Sequence, residues 1–332
     1  MNTRDLDGVH SLPQLRRLLN NQGVTRLAEV ARALHDRKEV QTLEGLYSHD
    51  RFTIDGSHSN TEIVDGTFAP GSSPKIMWCV NHYTGLNRDP RVIRAAQEAV
   101  ARYGTGSGTS AMSGGMCELH KKAERMICEM VGKEAAMLFP TGYSANLGAI
   151  SALARPGDMV LFDREAHASI IDGIRLSGAK FQSFKHNSVD DLEKKLERWK
   201  GRFHNLFVVV ESAYSMSGDL APLPAICELK AEHEFYLYVD EAHTFGFYGD
   251  NGAGYCAECG ATSQVDFLMS TLSKATAAVG GFLACDRVYI ALLKWSANAY
   301  LFQACFPPAD AAVVIASIDI LRSDPGYQRK LH

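Results

Sequence analysis

From residue 75 onward, short apolar runs alternate with segments of helical spacing. "KIMWCV" reads as a strand. "DPRVIRAAQEAVARYG" reads as a helix that Asp89 caps, Pro90 opens and Gly104 ends. A second helix follows across "CELHKKAERMICEMVG", then the strand "AAMLF", a turn at "PTGYSAN" and a helix into "LGAISALA". "MVLFD" is a strand, and "HASIIDGIRLSG" and "SVDDLEKKLERWK" are helices. "LFVVVES", "FYLYVDEAH" and the run Val265 to Met269 are short, apolar and β-rich, the pattern of strands buried on both faces. This alternation predicts an α/β domain with a mostly parallel sheet flanked by helices.

Residues 1–74 read differently. "LPQLRRLLNN" and "VTRLAEVARALHDR" have helical spacing, with Leu27, Val30, Ala31 and Leu34 on one face. "DGSHSNTEIVDGTFAPGSSP" is polar and rich in Gly, Ser and Pro, so it reads as loop or linker. The expected organisation is a helical extension and linker over 1–74, a large catalytic domain over 75–320, and the start of a further domain over 321–332.

The 332 residues are 46% apolar and 22% charged, the balance of an ordinary globular protein. A net charge of −4 with no basic block gives no footprint for nucleic acid or an anionic membrane. The N-terminus has no apolar core of signal-peptide length, and no run is long enough to span a bilayer. Eight scattered cysteines without a secretion signal point to reduced thiols in a cytoplasm. Cys256 and Cys259 form one C-x-x-C without a second pair or nearby histidines, so they read as two thiols on a short helix rather than a metal site.

The apolar runs end in polar residues: Asp163 then His167; Glu211 then Ser212 and Ser215; Asp240 then His243; Thr271 then Ser273 and Lys274. Ligands of open parallel sheets bind beyond the carboxyl ends of the strands, so one shared site is expected there. Two rival readings fail. "DEAH" at 240–243 is also a helicase sequence, but the only Gly-Lys pair, Gly132-Lys133, precedes Glu and has Ile127 where a P-loop needs its first glycine. "GTGSGTSAMSGG" at 104–115 follows a helix rather than a strand, so it is a loop whose backbone can approach a ligand, not a dinucleotide fingerprint.

A lysine at a strand end, in the cramped turn "TLSKATAAVGG", together with an aspartate and a histidine, fits pyridoxal 5′-phosphate (PLP). The amine forms a Schiff base with the cofactor aldehyde, and an acid keeps the pyridine nitrogen protonated. "PTGYSAN" opens a helix suited to phosphate, and Thr271 adds a hydroxyl three residues before Lys274.

These residues resemble the α-oxoamine synthases, fold-type I PLP enzymes with an aspartate aminotransferase-like large domain. The resemblance runs from Trp78 to Arg322 through "WCVNHYTGL", "GTGSGTSAMSGG", "TGYSANLGAISALARPGD", "HASIIDGIRLSGAK", "ESAYSMSGDLAPL", "YLYVDEAHTFGFYGDNGAG" and "STLSKATAAVGGFLA". It implies that Lys274 is the Schiff-base lysine and proton shuttle, that Asp240 pairs with the pyridinium nitrogen, and that His243 bonds the ring oxygen. By the same resemblance His167 stacks on the ring, and Gly142, Tyr143 and Thr271 hold the phosphate. Ser215 contacts the cofactor, and Asn81 lies near the substrate. The implied reaction condenses an amino acid with an acyl-CoA or carrier-bound thioester, usually with loss of CO2, to an α-amino ketone, in a homodimer with a shared site. An aminotransferase, a retro-aldol enzyme and a non-catalytic partner subunit remain alternatives.

The chain departs from the family pattern at Ala111 and Gly115 in the glycine-rich loop and at Ala166 before His167. Gln303 and Ala304 stand where the family has a Ser-Thr pair that reaches the other subunit's phosphate. Family chains continue for a further ~70–100 residues, an ordinary domain size, and carry there the arginine that grips the substrate carboxylate. On that basis the C-terminal small domain is expected to be missing, with PLP bound but turnover of residues 1–332 impaired.

Overall fold

The computed structural model describes residues 17–19, 21, 23–43, 52–64 and 74–331. They form two units, within 1–80 and 81–332. In the first, helix α1 spans Leu27–Leu43, and β1 (Phe52–Thr53), β2 (Asn60–Val64) and β3 (Pro74–Ile76) form a small antiparallel sheet. Most of the expected helix "LPQLRRLLNN", and residues 65–73, lie outside the described residues. The expected apolar face on α1 is corrected. Val30 and Ala33 pack with Leu19, while Leu27, Ala31 and Leu34 are exposed. The segment read as linker contributes β2 and the start of β3, because register with a neighbouring strand overrides its polar composition. "KIMWCV" is strand only as far as Ile76.

The second unit is a seven-stranded sheet between two layers of helices. Its strands are β4 (Ala135–Phe139), β5 (Met159–Asp163), β6 (Lys180–Phe184), β7 (Leu206–Glu211), β8 (Tyr236–Asp240), β9 (Phe267–Thr271) and β10 (Gly281–Cys285), in the order β4-β10-β9-β8-β7-β5-β6. The pairings from β9 through β6 are parallel, and β10 runs antiparallel to both its neighbours. The α-helices of this unit are α2 (Pro90–Tyr103), α3 (Glu118–Val131), α4 (Gly142–Leu153), α5 (Ala168–Ser177), α6 (Val189–Trp199), α7 (Leu223–Glu232), α8 (Tyr255–Glu258), α9 (Arg287–Ser296), α10 (Asn298–Leu301), α11 (Pro308–Ser323) and α12 (Gly326–Arg329).

Alternation along each strand explains why the strand sequences are apolar throughout. Val208, Val210, Leu237 and Val239 face one core with α3, α6, α7 and α11, whereas Phe207, Val209 and Tyr238 face the other with α4, α5 and α9. Both faces are covered, so neither needs polar positions. Helix ends follow local chemistry. Asp89 Oδ1 accepts Arg91 N–H at 2.9 Å with Pro90 at the first position, and Gly104 closes α2 at φ 82°.

The "DEAH" glutamate is structural. Glu241 is fully buried and accepts Cys256 N–H at 2.6 Å. Cys256 lies on α8 and Cys259 just after it, as expected of two thiols on a short helix. A Cβ on Gly254 would sit 1.6 Å from Glu241 Oε2, at a backbone φ of +109°. Gly254→Ala is therefore expected to destabilise the fold by more than about 3 kcal/mol. Urea unfolding measures it, and a loss under about 1 kcal/mol would show that Glu241 can move aside.

Candidate active site

Lys274 sits in the turn between β9 and β10. That turn is closed by Leu272 N–H to Gly280 C=O at 2.9 Å and Ala278 N–H to Leu272 C=O at 3.0 Å. Thr84 Oγ1 donates to Ala275 C=O at 2.6 Å, and Ser317 Oγ to Thr276 C=O at 3.0 Å, tying the turn to its surroundings. Buried Leu272, Ala275 and Ala278 anchor it below. Only a backbone so fixed can hold a flexible four-carbon chain to one task.

Lys274 Nζ lies 2.7 Å from His243 Nε2, and His243 Nδ1 lies 2.7 Å from Tyr83 Oη. Tyr83 Oη donates in turn to Asn81 Oδ1 at 3.4 Å. Burial, and then the Lys274 charge, push the His243 imidazole down to about 4. The ring is therefore neutral at pH 7. It accepts from the ammonium at Nε2 and donates from Nδ1 to Tyr83 Oη. Burial also lowers the Lys274 amine, against the opposing pull of Asp240 and Glu211. A lysine poised this way releases its proton more readily than one in water.

Asp240, 3% exposed, ends β8. Its Oδ2 accepts Asn146 Nδ2 at 2.7 Å and its Oδ1 accepts Ala242 N–H at 2.9 Å. Asn146 Nδ2 also donates to Ser169 Oγ at 2.9 Å, and its Oδ1 accepts Tyr238 Oη at 2.8 Å. His167 caps α5, with Nδ1 2.7 Å from Ser169 Oγ, and its own N–H donates to Glu211 Oε1 at 2.5 Å. Tyr143 meets His167 edge-on at 6.2 Å between ring centroids, and its hydroxyl is held by Asp172.

These groups surround one cavity of about 280 Å³. Thr141, Gly142 and Tyr143 at the start of α4 form one wall; Thr271, Ser273 and Lys274 form another. A Cβ on Gly142 would stand 2.6 Å from Thr271 Cβ, and one on Gly281 would stand 2.6 Å from Gly142 Cα. Two glycines thus let the helix start, with its free N–H groups, close against a threonine hydroxyl. That is a cradle for an anion. With an amine, a buried carboxylate and a neutral imidazole in the same space, the residues fit PLP.

Of the residues singled out from sequence, the structure brings Gly142, Tyr143, His167, Asp240, His243, Thr271 and Lys274 to this cavity. Asn81 is exposed and reaches it only through Tyr83. Ser215 is exposed, in the turn closed by Gly218 N–H to Tyr214 C=O at 2.8 Å, and does not line this cavity. Asp163 also stays out, because its carboxylate binds the Glu165 and Asn187 N–H groups and His186. Sequence reasoning missed Tyr83, Asn146 and Ser169 as partners in the site. Asn146 had one available signal: it lies four residues after Gly142, on the same side of α4. The glycine-rich loop and "LFQACFPP" are joined by Cys305 N–H to Thr109 C=O at 3.1 Å and Ser107 Oγ to Phe306 C=O at 3.1 Å. In that loop a Cβ on Gly115 would fall 2.1 Å from Thr109 O, so the departure at that position has a local steric reason.

Residues 73–329 match the family model for aminotransferase class I and II. A serine palmitoyltransferase of Sphingobacterium spiritivorum is 38% identical over 87% of this chain and 70% of its own length. An 8-amino-7-oxononanoate synthase of Geobacter sulfurreducens is 39% identical over 87% of this chain and 72% of its own. A high-resolution structure of SPT with its PLP internal aldimine superposes with a TM-score of 0.84 at 32% identity, covering 92% of this chain and 76% of that one.

Proposed function

The chain belongs to the aminotransferase class I and II family, in its α-oxoamine synthase branch, and from that membership we propose that it condenses an amino acid with an acyl thioester to give an α-amino ketone. Its cofactor is PLP. One observation supports the reading above the others: the Lys274 amine and the Asp240 carboxylate share a cavity that opens on the N-terminus of α4.

When bound, PLP supplies an electrophilic aldehyde and a protonated ring that accepts the electrons of a broken Cα bond. The chain's own residues do the rest. Gly142 and Tyr143 N–H groups and the Thr271 hydroxyl would hold the phosphate. Asp240, kept in place by Asn146 and Ala242, would put negative charge beside the ring nitrogen. His167 would cover one face of the ring, and neutral His243, whose Nδ1–H is given to Tyr83, would accept through Nε2 at the ring's oxygen edge. Lys274 would hold the cofactor through its amine, already partly stripped of water, and, once freed, would take the proton from the substrate Cα. Asn81, through Tyr83, stands on the substrate side. The working unit in this reading is a homodimer in the cytoplasm, a compartment that suits eight free thiols. No helix among the described residues is long and apolar enough to cross a membrane.

The test supplies purified protein and PLP with a panel of amino acids and acyl-CoA thioesters. It follows both free thiol and keto acid. Thiol release that requires both substrates is expected. Keto-acid formation without thiol release would make the protein an aminotransferase instead.

A further inference from the structure

Glu211 is a buried carboxyl in the cavity wall for which the proposed chemistry has no use. It ends β7, and the register sets it beside Asp240 at the end of β8. Parallel neighbours at one register send their side chains to the same side. Two carboxyls, each 3% exposed, therefore share one small space. Like charges that close and that dry do not both persist, and the proton goes to the carboxyl with the poorer supply of donors.

The supply is unequal. Asp240 has a donor on each oxygen, Asn146 Nδ2 and Ala242 N–H. Glu211 receives the His167 N–H on Oε1. Asn146 cannot serve Glu211 as well, since its amide is committed to Asp240, Ser169 and Tyr238. Asp240 and Asp163 repel a negative charge on Glu211, whereas Lys274 favours one. Burial and the repulsion prevail and push the Glu211 carboxyl well above the usual carboxylate range. His167 and His243 also line the space, and His243 is neutral there.

We propose that the two strand-end carboxyls divide their charge, Asp240 holding the negative charge and Glu211 holding a proton, so that Glu211 is a neutral positioning residue for His167. The link to catalysis rests on reading this cavity as the PLP site; the division of the proton does not.

Thermal unfolding of the cofactor-free protein from pH 5 to pH 8 tests it, comparing wild type with Glu211→Gln. A folded-state carboxyl that keeps its proton beyond the unfolded value binds more protons than the unfolded chain. Its contribution to stability is full at low pH and lost as pH rises toward the folded value. Glutamine mimics the neutral acid and removes that loss. The folding equilibrium of Glu211→Gln relative to wild type is expected to rise by about tenfold or more between pH 5 and pH 8. Cofactor affinity at pH 8, read by titration of bound absorbance, is expected to stay within about threefold, under one kcal/mol. If glutamine packs poorly, Glu211→Ala reads the same slope, since it too is neutral. A pH-independent difference, or one that falls with pH, would overturn the proposal. Failure of wild type to bind PLP would overturn the functional reading but leave the stability comparison intact.

Discussion

Lys274→Ala is expected to abolish turnover and to leave the protein unable to hold PLP covalently. The Nζ atom is the one amine lining the cavity among the described residues, 2.7 Å from a neutral imidazole. A positioned group that moves a proton contributes roughly 10²–10⁴-fold to rate. Losing the nucleophile as well brings the expected fall in kcat to at least about 10⁴-fold. The fold should survive, because the backbone bonds that close the turn do not involve the lysine side chain. The check is thiol release together with mass spectrometry after borohydride reduction, on protein whose circular dichroism matches wild type. Turnover within tenfold of wild type, or a reduced cofactor adduct on the variant, would remove Lys274 from its assigned role.

Asp240→Asn carries the second largest expected effect. The amide keeps the shape and loses the charge, and the surroundings make the exchange worse than isosteric. Both carboxylate oxygens accept donors, from Asn146 Nδ2 and Ala242 N–H. Whichever way the new amide turns, its NH2 group faces a donor, at a cost of about 1–3 kcal/mol. Removing one preorganised electrostatic partner from a reacting centre typically costs about 10²–10³ in kcat. At least that loss is expected, with weakened PLP binding. Steady-state kinetics at saturating PLP measure the first and absorbance titration the second. Retention of both would mean that the carboxylate does not meet the ring nitrogen.

The strands and helices of residues 81–332 were legible where burial on two faces, or a cap, left a mark. Val208 to Val210 and Leu237 to Val239 show the first, and Asp89-Pro90 the second. β6 was not, because its sequence "KFQSF" is polar for an edge strand that faces solvent. β10 was hidden because "GFLAC" begins with the glycine that α4 requires. The charged and cyclic residues of the site were legible through their chemistry and their place after strands. Asn146 and Tyr83 were not, since an amide and a phenol announce no role until their partners are known. Ser215 has a spacing from Asp240 that suits the site, yet it lies exposed in a four-residue turn, a placement that spacing alone does not reveal.

The reversed strand β10 has a consequence for how the molecule assembles. Its pairing with β9 is local, a hairpin across the lysine turn, whereas its pairing with β4 joins Gly281 to Phe139 across more than a third of the chain. Long-range closures form slowly, because the entropy of the intervening loop is lost before any contact offsets it. Folding therefore has a natural last event, the docking of β4, which carries the start of α4 against Thr271. Before that event the chain already has its amine and its acid; after it, the start of α4 faces Thr271, and an anionic ligand filling that cradle would act as a latch on the finished sheet.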